Sequence, residues 1–434
     1  MVLFKKKIKP RVCLIGLDGV PLSMLKHFFQ KGIMPEFAEL ALQGSLVPMS
    51  SAIPEISAVS WTSFMTGTNP GTHGVFGFTD ILPQSYELKY MNFNDCKVLT
   101  IWDRLGSLGK RSVIINQPAT YPARKLSGVL ISGFGASDLF KAVYPAKYIR
   151  PLRRRDYQID IVQIRASEDY QVLMSDLKRT LQSRKDAVDL LWTSEKWDYF
   201  ELIITGTDRL LHYLWAALDD QDHPLYPEVL AYFRELDQLI SDVVHRFQKL
   251  TNQKETINGL FILSDHGFCT LEHEVYLNTW LKNEGLLSYS RDAPHSLLDV
   301  SPETQAFILD PGRLYINRKG KFPRGEVREA QVEKIKKQIK AKLMTLEYDQ
   351  KKVVQNVFDK SEIYSGQLVE QAPDLIIESQ PGFNMKGALN EPHLFKGTSA
   401  TGMHTGAGAF CFNDDLPDES LHIDQLAQKI LRYF

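Results

Sequence analysis

VCLIGLDG, residues 12–19, is an apolar run that ends abruptly in an aspartate. Both alternate positions are apolar, so the segment reads as a strand buried on both faces, as in the middle of a parallel sheet. Comparable runs follow at SVIIN (112–116), GVLISG (128–133), FELIIT (200–205), GLFILS (259–264), APDLIIES (372–379) and GAFCFND (408–414). Helical patterns lie between them. PEFAELALQG (35–44) has Pro35 in a first-turn position and Gly44 where a C-terminal cap belongs, and 227–250 keeps an apolar stripe over many turns. Alternating strands and helices predict an α/β fold with a largely parallel sheet.

In such sheets, ligand sites form beyond the carboxyl ends of the strands. Asp18, Asp208 and the pair Asp265–His266 all occupy strand ends. Asp208 and His212 are four apart, a spacing that puts both on one face of a helix. In SDHG, a tight turn lets Asp265 and His266 reach one ion. Alone, the first pair reads more readily as a helix-start aspartate beside an unrelated histidine, and the second is balanced between turn and ligand. Ser57 lies in a polar loop ahead of SWTSFMTG, a predicted helix start that offers N–H groups to an anion, though a plain N-cap role competes and Ser60 and Ser63 compete with it. With His404 these residues form a carboxylate and imidazole set suited to zinc, with manganese as the alternative.

The motifs LIGLDG, ISAVSWTSFMTGTNPGTHG, TGTDRLLH, LSDHG and GMHTG, in this order, resemble the alkaline phosphatase superfamily, and most closely its type I phosphodiesterase and nucleotide pyrophosphatase branch. The resemblance covers nearly the whole chain, and INQPATYPARKLSGVLISG (115–133) adds to it. It implies a three-layer α/β/α sandwich and two divalent metal ions. Asp18, Asp265 and His266 would hold one ion, and Asp208, His212 and His404 the other. Ser57 would be the nucleophile, touching the first ion and forming a phosphoseryl intermediate. The substrate implied is a small phosphorylated compound, a nucleotide among the candidates, cleaved at a phosphodiester or pyrophosphate bond. Where the family's pyrophosphatases carry an oxyanion-binding asparagine, this chain has Ser60. Ser60, Asn116 or the backbone near Ala58 is expected to supply that contact. After Ser57 the chain reads Ala58, Val59, Ser60, Trp61, which lacks the sulfatase pattern.

Rival readings are a phosphomonoesterase of the same superfamily and a metal-bearing binding protein without activity. A monoesterase usually adds an arginine or a third ion for the extra charge, whereas a diesterase needs an apolar wall for the second ester group. No arginine motif flanks Ser57. Arg150, Arg153, Arg154 and Arg155 could hold a polyphosphate, although a charge run is usually a solvated face. His73 reads as a brace for the turn after the nucleophile segment. Trp61, Tyr121, Phe134, Tyr213 and Trp215 are core candidates that could include a base-stacking pair.

The 434 residues, 44% hydrophobic, suffice for a large core. We divide them into a core at 1–274 and 370–434 and an inserted lid at 275–369, the latter carrying RLYINRKGKFPRGEV and the lysine-rich helix pattern EAQVEKIKKQIKAKLMTL. A net charge of -1 offers no global attraction to nucleic acid or anionic membrane. Cys13, Cys96, Cys269 and Cys411 are scattered, as expected of reduced thiols. The charged start before VCLIGL is too short in its apolar part for a signal, and no stretch approaches the roughly 18 apolar residues of a span. These features predict a cytoplasmic protein.

Overall fold

The computed structural model describes residues 9–161, 169–253, 257–416 and 420–434. The charged start at 1–8 lies outside them. A nine-stranded sheet forms the centre, in the order 421–422, 45–50, 409–413, 260–263, 12–17, 199–204, 112–117, 128–132, 143–144. Strand Val12–Leu17 runs parallel to Tyr199–Ile204 and to Leu260–Leu263, and Ser112–Gln117 is parallel to both of its neighbours. Ala409–Asn413 enters antiparallel beside Leu260–Leu263. Every residue of Val12–Leu17 is buried. Its side chains divide between two apolar clusters: Cys13, Ile15 and Leu17 join one, and Val12 and Leu14 join the other with Trp61 and Phe64. Helices therefore cover both faces, giving the three-layer α/β core.

Helix boundaries differ from the sequence reading in two places. The helix at 35 ends at Ala41 with Leu42 as its cap, so Gly44 is not the terminator. Ser57 is not in a loop: it is the first residue of the helix Ser57–Thr66, whose N-cap is Ile56. An isoleucine cap carries no side-chain signal, which is why sequence reasoning starts this helix late.

Gly16 belongs to the fold-defining strand and lies under the helix Ser57–Thr66. A Cβ there would fall 2.5 Å from the Trp61 ring and 2.6 Å from Ile203 Cδ1. Gly16→Ala should overpack this contact and lower stability by about 1–3 kcal/mol. It should also disturb the Ser57 helix through Trp61. Chemical denaturation beside an activity measurement checks both effects, and an unchanged midpoint would show that Trp61 yields without cost.

The segment after 275 builds a second sheet, ordered 306–309, 313–316, 375–379, 354–359, over its own apolar cluster. Leu375–Ser379, within APDLIIES, was expected to resume the core pattern. It pairs instead antiparallel with Arg313–Ile316 and Val354–Asp359. Arg313 is fully buried and fastens this sheet to the hairpin at 79–90. Its guanidinium donates to Thr79 O and, through Nε, to Asp310 O, both at 2.7 Å, and packs over Gly77, where a Cβ would come within 2.4 Å.

Candidate two-ion centre at the strand ends

Four segments distant in sequence converge where the central strands end. Asp18 follows Val12–Leu17, Asp208 and His212 sit on the helix Gly206–Leu214 after Tyr199–Ile204, and Asp265 and His266 follow Leu260–Leu263. His404 lies on Gly402–Thr405, which pairs antiparallel with Gly267–Thr270, so that Phe268 faces it in register. The ligand atoms of Asp208, His212 and His404 all lie within 4.8 Å of one another, and so do those of Asp18, Asp208 and His266. Asp208 Oδ1 connects the two groups: it is 2.9 Å from His404 Nε2, 3.5 Å from His212 Nε2 and 4.0 Å from His266 Nε2. Asp265 meets the second group through His266, with Oδ2 at 3.5 Å from Nε2. The partition implied by the family likeness gives Asp208 to one ion only, whereas here its Oδ1 lies between both groups.

Ser57 Oγ donates to Asp18 Oδ1 at 3.1 Å and lies 3.3 Å from His266 Nε2. Its position at the start of a ten-residue helix matters. The amides of Val59 and Ser60 both return to Ile56 O, while those of Ser57 and Ala58 find no protein acceptor among the described residues. Two N–H groups at the positive end of the helix are thus free beside the hydroxyl.

The imidazoles test whether a cation fits. His212 Nδ1 faces Gly402 O at 3.2 Å, His404 Nδ1 faces Glu55 O at 3.0 Å, and His266 Nδ1 faces Gly267 O at 3.1 Å. A carbonyl oxygen can only accept, so each ring hydrogen sits on Nδ1. Each neutral ring then turns an Nε2 lone pair towards a carboxylate oxygen, two acceptors facing each other, an arrangement that repels unless a cation or a proton stands between. Orienting carbonyls behind the rings are the usual support of metal-bound histidine. Asp265 Oδ2 is buried with no hydrogen-bond partner among the described residues. Both observations fit divalent ions.

The titration behaviour agrees. Burial works against a charged His266, but Asp265, Asp18 and Asp208 outweigh it and lift its pKa to about 10. Burial, with Asp18 adding to it, raises Asp265 well above the usual carboxylate range. Burial and the neighbouring His266 push His404 down to about 4. Asp208 resists its own burial, and His212, His404 and Arg209 hold it far below the usual range. Without ions, a proton on His266 supplies positive charge, and Asp265 keeps a proton more readily than an ordinary carboxylate. Ion binding at pH 8 should therefore release about one proton, from His266, and affinity should climb as pH rises towards 10 and weaken as it falls. Calorimetry in buffers of different ionisation enthalpy reads this directly, and a heat independent of buffer would remove His266 from the ligand set.

Ser60 and Asn116 have hydrogen-bond partners within the protein. Ser60 Oγ shares a 2.8 Å hydrogen bond with Ser51 Oγ. Asn116, at a bulge with φ +65, donates Nδ2 to Ile203 O at 3.2 Å and to Thr205 Oγ1 at 3.1 Å. It braces the loop that launches the Asp208 helix and is not hydrogen-bonded to Ser57. His73 accepts from Val75 N through Nδ1 and meets Ser63 Oγ at 3.0 Å, bracing the turn as expected. Arg153, Arg154 and Arg155 are exposed.

Sequence reasoning missed the supporting contacts. Trp61 Nε1 donates to Asp18 Oδ2 at 3.1 Å, Thr207 Oγ1 donates to Asp18 O at 2.6 Å, and Arg209 pairs with Asp208. Trp61 is four residues from Ser57 on one helix face, a spacing that could have suggested it. The others leave no spacing signal.

A cleft of about 550 Å³ opens beside the centre, lined by Ile56, His212 and His404 from the core, Phe78 just before the hairpin, Leu309 from the second sheet, and Met385 from the strand Phe383–Lys386. Lys386 is its one cationic residue among those described. Burial, with the Glu378 carboxylate beside it, lifts Glu55 at the cleft edge to about 8.

The family model described as type I phosphodiesterase / nucleotide pyrophosphatase matches residues 12–406. No curated protein matches the sequence. Among solved structures, phosphonoacetate hydrolase from Sinorhizobium meliloti 1021 in complex with phosphonoacetate is similar at TM-score 0.63 and 16% identity, over 98% of this chain and 96% of that one. Murine ectonucleotide pyrophosphatase / phosphodiesterase 5, as an inactive form in complex with AMP, is similar at TM-score 0.57 and 11% identity, over 98% and 95%. At such identities the likeness is one of fold.

Proposed function

Because this chain belongs to the type I phosphodiesterase / nucleotide pyrophosphatase family, we propose that it is a two-metal hydrolase that cleaves a phosphodiester or pyrophosphate bond with Ser57 as nucleophile. The observation that carries the reading is the facing of Nε2 lone pairs and carboxylate oxygens around Asp208 Oδ1, with the Ser57 hydroxyl at the edge of the same cluster. Asp18, Asp265 and His266 would hold one ion and Asp208, His212 and His404 the other, with Asp208 reaching towards both. When bound, the ions favour the deprotonated hydroxyl and balance charge on the attacking and leaving oxygens. Zinc suits the donor set, with manganese as the alternative.

The chain's own groups do the rest. Ser57 Oγ attacks phosphorus as the bond from phosphorus to one ester oxygen breaks, that oxygen leaves with the proton that the serine gives up, and a phosphoseryl group still carrying the second ester substituent remains. Asp18 Oδ1 and His266 Nε2 are the nearest groups to the hydroxyl proton. The free amides of Ser57 and Ala58 face the phosphoryl oxygens, a donor pair that serves where Ser60 and Asn116 are otherwise engaged. Water then cleaves the phosphoserine, releasing a phosphomonoester and restoring the hydroxyl.

The apolar wall of the cleft and the absence of arginine among its described residues favour a diester over a monoester. We take the substrate to be a small phosphorylated compound, with nucleotides among the candidates, and the segment 275–369, completed by the strand Leu375–Ser379, to be the lid over it. Four free cysteines, and no helix among the described residues long and apolar enough to cross a membrane, support a cytoplasmic setting.

The test compares bis-p-nitrophenyl phosphate with p-nitrophenyl phosphate before and after chelation, with zinc and manganese restored separately. Diester cleavage that vanishes on chelation and returns with one ion is expected. A strong monoester preference would make the protein a phosphomonoesterase. Bound ions without turnover of either ester, nucleotides or phosphonoacetate would favour a binding protein.

A further inference from the structure

Arg209 stands inside the cluster of carboxylates and imidazoles, and the chemistry above does not use it. It follows Asp208 on the helix Gly206–Leu214 and is only 8% exposed. Adjacent helix residues diverge by about 100° and do not ordinarily meet. Here the guanidinium folds back: Nη1 donates to Asp208 Oδ2 at 3.0 Å. Two outside groups hold it there. Asp160 Oδ2 accepts from Nη2 at 3.0 Å and from Nε at 3.3 Å, and the Phe134 ring centroid lies 4.1 Å from Cζ.

With Oδ2 engaged, Asp208 has one oxygen left for the centre, and that is the Oδ1 that faces His404, His212 and His266. We propose that Arg209 is a positioning residue that fixes the Asp208 carboxylate so that Oδ1 is the oxygen turned to the candidate ion centre, and that Asp160 and Phe134 hold Arg209 for this task. The inference rests on the metal-dependent reading of the site, but not on Ser57 as nucleophile or on the choice of ester.

Charge and alignment predict opposite results. A guanidinium repels a nearby metal cation, so if its charge were what mattered, removing it would tighten ion binding. If alignment matters, removing it weakens binding, because an unheld carboxylate rotates and divides its oxygens among other partners.

Zinc titration by competition with a chromophoric chelator, on chelator-stripped protein, separates the two. Arg209→Met should weaken binding by about 10- to 100-fold, the usual effect of losing a ligand's supporting partner. Arg209→Lys, which keeps the charge but loses the planar fork, should recover only part of that loss. Asp160→Asn, with Arg209 intact, should fall between the unmodified protein and Arg209→Met. In an active preparation, kcat should drop in each variant with little change in KM. Melting curves without ions check the fold, and should Arg209→Met fail to fold, the other two variants decide. Binding that is unchanged or tighter across the folded variants overturns the proposal. An unmodified protein that binds zinc but cleaves no ester overturns the proposed function while the titrations still judge Arg209. One that binds no zinc overturns both.

Discussion

Ser57→Ala is expected to lower the diesterase rate by about four to six orders of magnitude, the scale on which loss of a nucleophile acts in enzymes that form a covalent intermediate. The change is clean for structural reasons. The Ser57 side chain does not cap its own helix, because Ile56 is the N-cap and no side chain closes that end. Removing Oγ therefore costs no cap, and the amides of Ser57 and Ala58 keep their places. The hydroxyl's protein contacts are Asp18 Oδ1 and His266 Nε2, which also belong to a group that could hold an ion. Ion content should accordingly stay near that of the unmodified protein while turnover disappears. Rates on bis-p-nitrophenyl phosphate with parallel metal analysis make the comparison. A Ser57→Ala protein that keeps activity within about tenfold would mean that water attacks the ester directly.

Asp208→Asn should be nearly as damaging by another route. Outer partners of a metal ligand are worth about 10- to 100-fold, so under the proposed function losing the charge of Asp208 itself should cost more, on the order of 10³ in ion affinity. Activity should fall in proportion and should not return at zinc concentrations that saturate the unmodified protein. The fold should survive, because Asp160 still pairs with Arg209 when Asp208 loses its charge. Asp265→Asn makes an instructive contrast. Burial already favours a neutral Asp265 in the ion-free protein, so the amide should leave ion-free stability little changed while weakening ion binding. Should Asp208→Asn hold two ions with unmodified affinity, the convergence on Oδ1 would be a feature of the empty cluster only.

Sequence and structure agree where the cause is local. VCLIGL, SVIIN and GLFILS are apolar on both faces, and strands of that kind are stable only between two covering layers, so the α/β class follows from the local pattern. The four-residue step from Asp208 to His212 likewise follows from helix geometry, and the two side chains do meet. Agreement fails where the partner is remote. APDLIIES has the pattern of a buried strand, but that pattern does not say which sheet receives it, and the receiving strand is Arg313–Ile316. Asn116 and Ser60 are polar residues near strand and helix ends, the expected place for a phosphate contact. Asn116 Nδ2 is held by Ile203 O and Thr205, and Ser60 Oγ by Ser51, partners that no spacing connects to them.

The sequence by itself determined which residue types stand at the strand ends, and hence that carboxylates and imidazoles would gather on one edge of the sheet. The tertiary structure alone decided how they are aimed. Carbonyls from Glu55 and Gly402 turn His404 and His212, and Trp61 and Arg209 turn Asp18 and Asp208, and each of these contacts except Arg209 with Asp208 joins segments apart in the chain. Even the Arg209 contact depends on Asp160 and Phe134 holding the guanidinium from elsewhere. Strand and helix periods are properties of neighbouring residues and can be read along a line. The orientation of a ligand is a property of its hydrogen-bond partners, which exist only once the chain has brought them together.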